Sequence, residues 1–392
     1  MEKNTFGPFP EIRHLVFAGG GPSLLQMVGA LRSLMEMQPI PFIQRNRLQS
    51  VYGTSAGAIV AAMVCLNLDW DLIEDYLVQR PWQDVFQFNI ENIFSAYQRR
   101  GIFDKKIMEK IFYPLLGAKG LDHEISLQDF FLATHLDLHI FAFDIHRFQT
   151  EDISHVSYPT LSLVDALYMS SAIPVLMSPK LLPSKCFIDG GLCANYPLSF
   201  CFSNLLSTAT ANNTPEEETV LSNHILGFRN VYWEEENENV NEKVIKKEKD
   251  QEKDQEKDQE KDQEKEMEKE KDQENINVNE KDQEKEMQIK KDQEKTQENQ
   301  NLYKTNISES SSLIDFLVCI FFKIFHRFTR TETRATSCNH PKLLYEISFQ
   351  VHSLSLDYLR KFFFSVDNRR MYLEKGKNTA KAFLAAFSLL KE

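Results

Sequence analysis

Gly53-Thr54-Ser55-Ala56-Gly57 constrains the fold of this chain more than any other stretch. It reads G-x-S-x-G. It follows the apolar run Ser50-Val51-Tyr52 and precedes the helix-prone run Ala58-Ile59-Val60-Ala61-Ala62-Met63-Val64. A strand that turns sharply into a helix, with a serine on the turn, is the context of a nucleophile elbow. The neighbours must be small because a serine on so tight a turn sits in strained backbone geometry. The turn also sets the serine near a helix N-terminus, whose free N–H groups and dipole favour developing negative charge. Alone, the pentapeptide reads equally well as a small-residue turn between a strand and a helix.

An earlier unit has the same form. His14-Leu15-Val16-Phe17-Ala18 is a buried-strand candidate, Gly19-Gly20-Gly21-Pro22-Ser23 is a loop, and apolar residues from Leu24 to about Met37 recur at helical spacing. Pro39, Pro41 and the polar stretch Gln44 to Gln49 lead to the second strand. Two strand–loop–helix units in succession predict an α/β fold with a parallel sheet and helices on its faces. Further along, Asp69–Gln79 reads as a capped amphipathic helix and Ile102–Leu116 carries another. Leu138–Phe143 is a third strand, Ser162–Ser171 a short helix before Pro174, and Lys185–Ile188 a fourth strand. That strand delivers Asp189-Gly190-Gly191 at its C-terminal end, where open α/β sheets place functional groups. Asn223–Phe228 is a further strand. Leu343–Ile347 and Leu354–Phe364 read as strand or helix. Thr379–Leu390 is a terminal helix with Ala382, Phe383, Ala386, Phe387 and Leu390 inward.

Composition then breaks the chain. Asp-Gln-Glu-Lys occurs four times in a row from Asp250 to Lys265 and recurs imperfectly to Lys295. A tract so poor in apolar residues cannot offset its ordering entropy and is expected to be a disordered, solvated insertion. Glu234 to Gln300 holds 26 acidic and 15 basic residues, so nearly all of the net charge of −12 lies there. The remainder is close to neutral, which argues against a nucleic-acid surface. The six cysteines have no metal-ligand spacing and suit a reducing, intracellular compartment. The first residues lack the apolar core of a secretory signal. No uncharged apolar run reaches the roughly 18–20 residues needed to span a bilayer, so a soluble or peripherally membrane-associated protein is expected. Leu313–Phe328 is densely apolar and aromatic and ends in Lys323, His326 and Arg327. It reads first as a helix packed on the core and second as an interfacial helix dipping into lipid.

An exposed serine needs a base. The usual base is a histidine oriented by a carboxylate, in the chain order Ser, Asp, His for an α/β-hydrolase. Here the elbow arrives after about two strands, which is early for that fold, and no later histidine sits in an obvious catalytic loop. Asp189 is the better base candidate, since a carboxylate that ends a buried strand and is followed by two glycines is rigid and approachable. A turn aspartate before Gly-Gly is its plainer reading. Ester hydrolysis passes through an oxyanion that requires aimed N–H donors. Gly19, Gly20 and Gly21, just before a helix, are candidates for that oxyanion hole. The loop lacks the further glycine of a dinucleotide site and the lysine of a P-loop.

The order glycine-rich loop, G-x-S-x-G, D-G-G resembles the patatin-like phospholipases. Leu15–Gly21 with Val28-Gly29-Ala30-Leu31 is similar to that family's first strand, oxyanion loop and helix. Ser170-Ser171-Ala172-Ile173-Pro174 is similar to its S-S-A-I-P segment, and Phe187–Leu198 to its D-G-G-x-x-x-N-x-P-L run. The resemblance covers roughly residues 13–203. It implies a three-layer α/β fold with a mostly parallel central sheet and helices on both faces. It also implies a catalytic domain at 13–203, its core continued at 204–233, a charged insertion at 234–308, and segments at 309–392 packed back on the core. The implied chemistry is a Ser–Asp dyad: Ser55 attacks an acyl carbonyl, Asp189 accepts the proton, and the Gly19–Gly21 amides hold the oxyanion. Gly53, Thr54, Ala56 and Gly57 form the elbow, and Gly190 and Gly191 complete the D-G-G motif. Implied substrates are phospholipid or neutral-lipid esters at a membrane surface, with no metal and no cofactor. One departure stands out. The family's first motif runs G-G-G-x-[R/K]-G, whereas this chain has Ser23 and Leu24 at the last two positions. A catalytically weak lipid-binding protein of the same fold and an acyltransferase are the alternatives left open.

Overall fold

The computed structural model describes residues 10–87, 98–208, 220–232, 316–317, 319–320, 323–324, 343–351, 359 and 362–389. The strands are β1 (His14–Phe17), β2 (Ser50–Thr54), β3 (Gly101–Phe103), β4 (Asp137–Asp144), β5 (Gln149–Ile153), β6 (Val175–Met177), β7 (Lys180–Leu182), β8 (Lys185–Asp189), β9 (Ile225–Tyr232) and β10 (Tyr345–Val351). The helices are α1 (Ser23–Met35), α2 (Ala56–Leu66), α3 (Trp70–Gln79), α4 (Trp82–Val85), α5 (Lys106–Lys119), α6 (Leu127–Thr134), α7 (Leu163–Ser170), α8 (Leu198–Thr208) and α9 (Val366–Leu389). Side-chain caps open α3, α6 and α7. Asp69 Oδ1 accepts from the N–H groups of Asp71 and Leu72, at 2.8 and 3.3 Å, and opens α3. Ser162 Oγ accepts from Asp165 N–H, at 3.2 Å, and opens α7.

The central sheet has the order β10-β9-β1-β2-β4-β8-β7, with β5 also on β4; β3 and β6 form a separate pair. The strands β9, β1, β2 and β4 are parallel. Every residue of β1 and β2 is buried, which is why these strands read as continuous apolar runs. Beyond β4 the expected parallel order fails, because β5 and β8 both run antiparallel to β4. For β5 the cause is local: only Ile145 to Phe148 separate it from β4, and so short a link permits only a hairpin, as Pro183 and Ser184 do between β7 and β8. The reversal of β8 positions Asp189. In the sheet register Thr54, the last residue of β2, lies opposite Phe141, while β4 continues to Asp144. β8 pairs only with that overhang, from Asp144 opposite Phe187 to Ala142 opposite Asp189. It therefore ends level with the elbow.

Helices flank the sheet. A Cβ on Gly53 would lie 2.4 Å from the Gly57 carbonyl oxygen, so this face of β2 meets the first turn of α2. Tyr52 points to the other face, where it stacks on Phe141, which packs against Phe200 of α8. The described residues up to Val231 and from Phe316 onward belong to one compact unit. The D-Q-E-K repeats lie outside the described residues. Within this unit, β10 adds a strand beside β9, and Glu346 of β10 accepts hydrogen bonds from Tyr196 (3.0 Å) and Arg229 (3.4 Å).

α9 begins at Val366, well before the expected Thr379. Its buried face is Arg369, Tyr372, Leu373, Gly376 and Ala380, and it packs on α1. Ala382 and Ala386 are exposed, contrary to the inward face expected for them; Phe383 and Phe387 pack edge-on against Phe42. The inward side is set by contact with α1, which the helix's own periodicity does not encode. Within Leu313–Phe328 the described residues are Phe316, Leu317, Cys319, Ile320, Lys323 and Ile324, all helical. Phe316, Leu317, Ile320 and Ile324 are exposed, so packing on the core does not hold for these four. Among the described residues no helix is long and apolar enough to cross a membrane.

Candidate active site

The elbow is strained, and its strain is held from several sides. Ser55 has φ 54° and ψ −124°, a backbone state that residues with a side chain avoid. Gly57 abuts β1, where a Cβ would come within 2.6 Å of the carbonyl oxygens of both Phe17 and Ala18. The Ser55 N–H donates to Ser170 Oγ at 2.8 Å, and the Ser170 hydroxyl donates to the Phe141 carbonyl at 2.6 Å. Thr54 Oγ1 donates to the Ala194 carbonyl at 2.6 Å. The turn is thus tied to α7, to β4 and to the loop that follows Asp189.

Ser55 and Asp189, 134 residues apart in sequence, meet at this turn. Ser55 Oγ donates to Asp189 Oδ2 at 2.6 Å. The other carboxylate oxygen accepts the Gly191 N–H at 2.7 Å, and the Asp189 N–H is bound to the Ala172 carbonyl at 3.0 Å. Both residues are buried. Burial pushes the Asp189 carboxyl up to about 6, although hydrogen bonds from Ser55 and the Gly191 N–H hold it back. A carboxylate tuned towards neutrality and bonded to a hydroxyl can exchange a proton with it. No histidine among the described residues is hydrogen-bonded to Ser55. His139, the most buried after His14, is engaged elsewhere: its Nδ1 lies 2.9 Å from Asp152 and its Nε2 3.2 Å from Asp137.

The glycine loop divides in two. The Gly19 N–H donates to the Asn195 carbonyl at 2.8 Å, and the Gly19 carbonyl accepts from Asn195 Nδ2 (3.2 Å) and Asn230 Nδ2 (2.8 Å). Both main-chain groups of Gly19 are therefore engaged within the fold. The N–H groups of Gly20 and Gly21 have no acceptor among the described residues, and Gly21 lines the cavity with Ser55. Ala56, the first residue of α2, likewise keeps its N–H free of acceptors among the described residues, as helix N-termini do. Ser23, at the position where the resembling motif carries a basic residue, accepts from Asn230 Nδ2 at 2.9 Å.

The dyad opens on an apolar cleft with about 1210 Å³ of empty space, part of it open to solvent. Its wall runs from Gly21, Ser55 and Ala56 to Ile59 and Met63 of α2, Trp82 and Phe86, Phe103, Ile107 and Met108. Leu359, Phe362, Phe363, Phe364 and Arg369 complete it from beyond the charged tract. Phe363 stacks on Phe86 with ring centroids 4.4 Å apart. Arg369 is buried and donates to the carbonyls of Val78 (2.9 and 2.7 Å), Arg80 (3.2 Å) and Phe363. It places a cation on the last carbonyls of α3, where the helix dipole favours one. Ser170, Asn195, Asn230 and this C-terminal wall are the parts that sequence reasoning missed. Ser170 carried a signal as part of the S-S-A-I-P segment, and Asn195 as the asparagine of the D-G-G-x-x-x-N-x-P-L run. Among the described residues, no cluster of three or more His, Cys, Asp or Glu is placed to hold a metal ion.

Residues 15–202 match the family model described as Patatin-like phospholipase. The chain is 23% identical over 186 residues to the probable lipid hydrolase 463L of Invertebrate iridescent virus 6, covering 47% of this chain and 61% of that protein. It is 22% identical over 230 residues to the uncharacterized protein R571 of Acanthamoeba polyphaga mimivirus, covering 57% of this chain and 75% of that one. It is 27% identical over 200 residues to the uncharacterized protein YqhO of Bacillus subtilis (strain 168), covering 47% of this chain and 64% of that one. Matches to solved structures are distant. VipD from Legionella pneumophila has a TM-score of 0.42 at 12% identity, covering 96% of this chain and 67% of that chain. ExoU from Pseudomonas aeruginosa, solved with SpcU, has a TM-score of 0.25 at 19% identity, covering 41% and 38%.

Proposed function

We propose that this chain, which carries a patatin-like phospholipase domain over residues 15–202, is a lipid acyl hydrolase of the phospholipase A type. The observation that carries the reading is the 2.6 Å hydrogen bond from Ser55 Oγ to buried Asp189 at the mouth of an apolar cleft. In the first step Ser55 Oγ bonds to the acyl carbon while its proton moves to Asp189 Oδ2. The carbonyl electrons move onto oxygen, which takes hydrogen bonds from the N–H groups of Gly20, Gly21 and Ala56. The tetrahedral species collapses to an acyl-Ser55 ester, and the departing alkoxide takes the proton from Asp189. A water then repeats the sequence, with Asp189 accepting its proton, and releases the fatty acid. The cleft, lined almost wholly by apolar side chains, suits an acyl chain.

The test is labelling by a fluorophosphonate probe together with hydrolysis of a p-nitrophenyl ester and of mixed phospholipids. Labelling and hydrolysis are expected in the wild type and lost in Ser55→Ala. Well-folded wild-type protein that neither labels nor hydrolyses would overturn the reading and leave a lipid-binding protein of the same fold. Access to lipid is assigned to a peripheral membrane surface that includes the exposed helical residues Phe316, Leu317, Ile320 and Ile324, with Lys323 beside them at headgroup level. Changing Phe316 and Ile320 to Ser should lower sedimentation with anionic phosphatidylcholine/phosphatidylserine liposomes. Undiminished sedimentation of the folded double variant would remove this face from the membrane contact.

A further inference from the structure

Ser170 and Ser171 are neighbours at the C-terminal end of α7, yet their hydroxyls are treated oppositely. Ser170 Oγ is engaged both ways, since it accepts from Ser55 N–H and donates to the Phe141 carbonyl. Ser171 is 7% exposed, and its Oγ has no hydrogen-bond partner among the described residues. Its main chain is held, with the N–H bound to the carbonyls of Leu167 and Tyr168, both at 3.1 Å, and its own carbonyl accepting from Ile173 N–H at 2.8 Å. Ser171 lines the same cleft as Ser55, Gly21 and Ala56. Of the buried side-chain polar atoms without a partner among the described residues, Ser171 Oγ is the one that belongs to a residue lining this cleft. A buried, unpaired hydroxyl destabilises a fold, so its presence calls for a use.

The cleft has a need that matches it. Gly19, the first of the three loop glycines, has its N–H taken by Asn195. Ser23 stands where the resembling motif has a cation, and its hydroxyl is tied to Asn230. Arg369, the one cation on the cleft wall among the described residues, is committed to main-chain carbonyls. A negative oxygen formed at Ser55 therefore meets backbone N–H groups and no free cation.

We propose that Ser171 is a further catalytic residue, whose hydroxyl donates a hydrogen bond to the acyl carbonyl oxygen as that oxygen becomes negative. Ser171 keeps its proton throughout; it supplies a dipole, and no bond of its own forms or breaks. The assignment rests on the Ser55–Asp189 reading. It is tested with the full chain by steady-state hydrolysis of a soluble p-nitrophenyl ester and by thermal unfolding of Ser171→Ala and Ser171→Thr. Loss of one oxyanion donor lowers kcat on the order of 10²-fold. That fall is expected for Ser171→Ala, with KM within about twofold and the unfolding temperature equal to or above that of the wild type, because the lost hydroxyl holds nothing in the fold. Ser171→Thr, which keeps the hydroxyl, should recover most of the rate. A Ser171→Ala kcat within about threefold of the wild type would overturn the assignment. So would a loss of activity accompanied by a lowered unfolding temperature, which marks a merely structural role. Wild-type protein without activity sinks the dyad reading and this one with it, whereas wild-type activity with an unimpaired Ser171→Ala sinks this one alone.

Discussion

Replacing Asp189 with asparagine should abolish hydrolysis and make the protein more stable. The carboxyl is 1% exposed and titrates near 6, against an ordinary value of 3.8. A gap of about 2 pH units, at about 1.4 kcal/mol each, means that ionised Asp189 costs the folded state about 3 kcal/mol. The sign follows from linkage. The native state binds this proton more tightly than the unfolded chain. The cost is therefore absent below pH 3.8, grows between 3.8 and 6, and is complete above 6. In Asp189→Asn the amide oxygen can still accept the Gly191 N–H, but Ser55 loses its carboxylate acceptor, which offsets about 1 kcal/mol. The net expectation is a gain of about 2 kcal/mol at pH 7.5, or about 4–8 °C in unfolding temperature for a domain of a few hundred residues. The gain should vanish near pH 4. Circular-dichroism melts of both proteins at pH 7.5 and 4 measure it, because other titrating groups cancel in the difference. In parallel, kcat/KM of the wild type should fall as pH drops through about 6, where the base becomes protonated. Equal or lower stability of the variant at pH 7.5, a gain that ignores pH, or retained hydrolysis would each refute the reasoning.

Phe363 stacks on Phe86 in the apolar wall of the cleft, so Phe363→Ala should open room for longer acyl chains. Each methylene newly buried is worth about 0.8 kcal/mol, roughly fourfold in kcat/KM, so a series of p-nitrophenyl esters should show its optimum moved to longer chains. An unmoved optimum would show that this wall does not limit chain length. His139 is pushed up to about 9: burial alone would lower it, but hydrogen bonds to Asp137 and Asp152 outweigh that effect. Its protonation stabilises the fold fully below pH 6.5, and this support is lost as pH rises through 9. Thermal melts from pH 6.5 to 9.5 should fall more steeply in the wild type than in His139→Gln, and parallel slopes would remove His139 from the balance.

The local parts of the site were legible in the residues alone. The run Ser50–Val64 has the apolar strand, the small-residue turn and the helix-forming segment that force Ser55 into its strained state, and the structure has β2, φ 54° and α2 there. The first strand and the glycine loop are legible for the same reason, since each depends on a few consecutive residues. Asp189 could be picked out as a strand-ending carboxylate before two glycines. What no local pattern contains is pairing over long separations. That β8 runs antiparallel and ends level with the elbow depends on the overhang of β4. That the Gly19 N–H is engaged depends on the carbonyl of Asn195, 176 residues away in sequence, accepting it. The different fates of Ser170 and Ser171 depend on which face of α7 looks at the main chain of Phe141 and which at the cleft. The cleft itself is closed by Phe362, Phe363 and Arg369, from beyond the charged tract. The sequence by itself therefore singled out Ser55 and Asp189 as the candidate pair, because the backbone state that presents Ser55 is dictated by its neighbours in the chain. Tertiary structure alone decided which N–H and O–H groups stay free to meet a substrate, because a group is free only after every other segment has packed and taken its own partners.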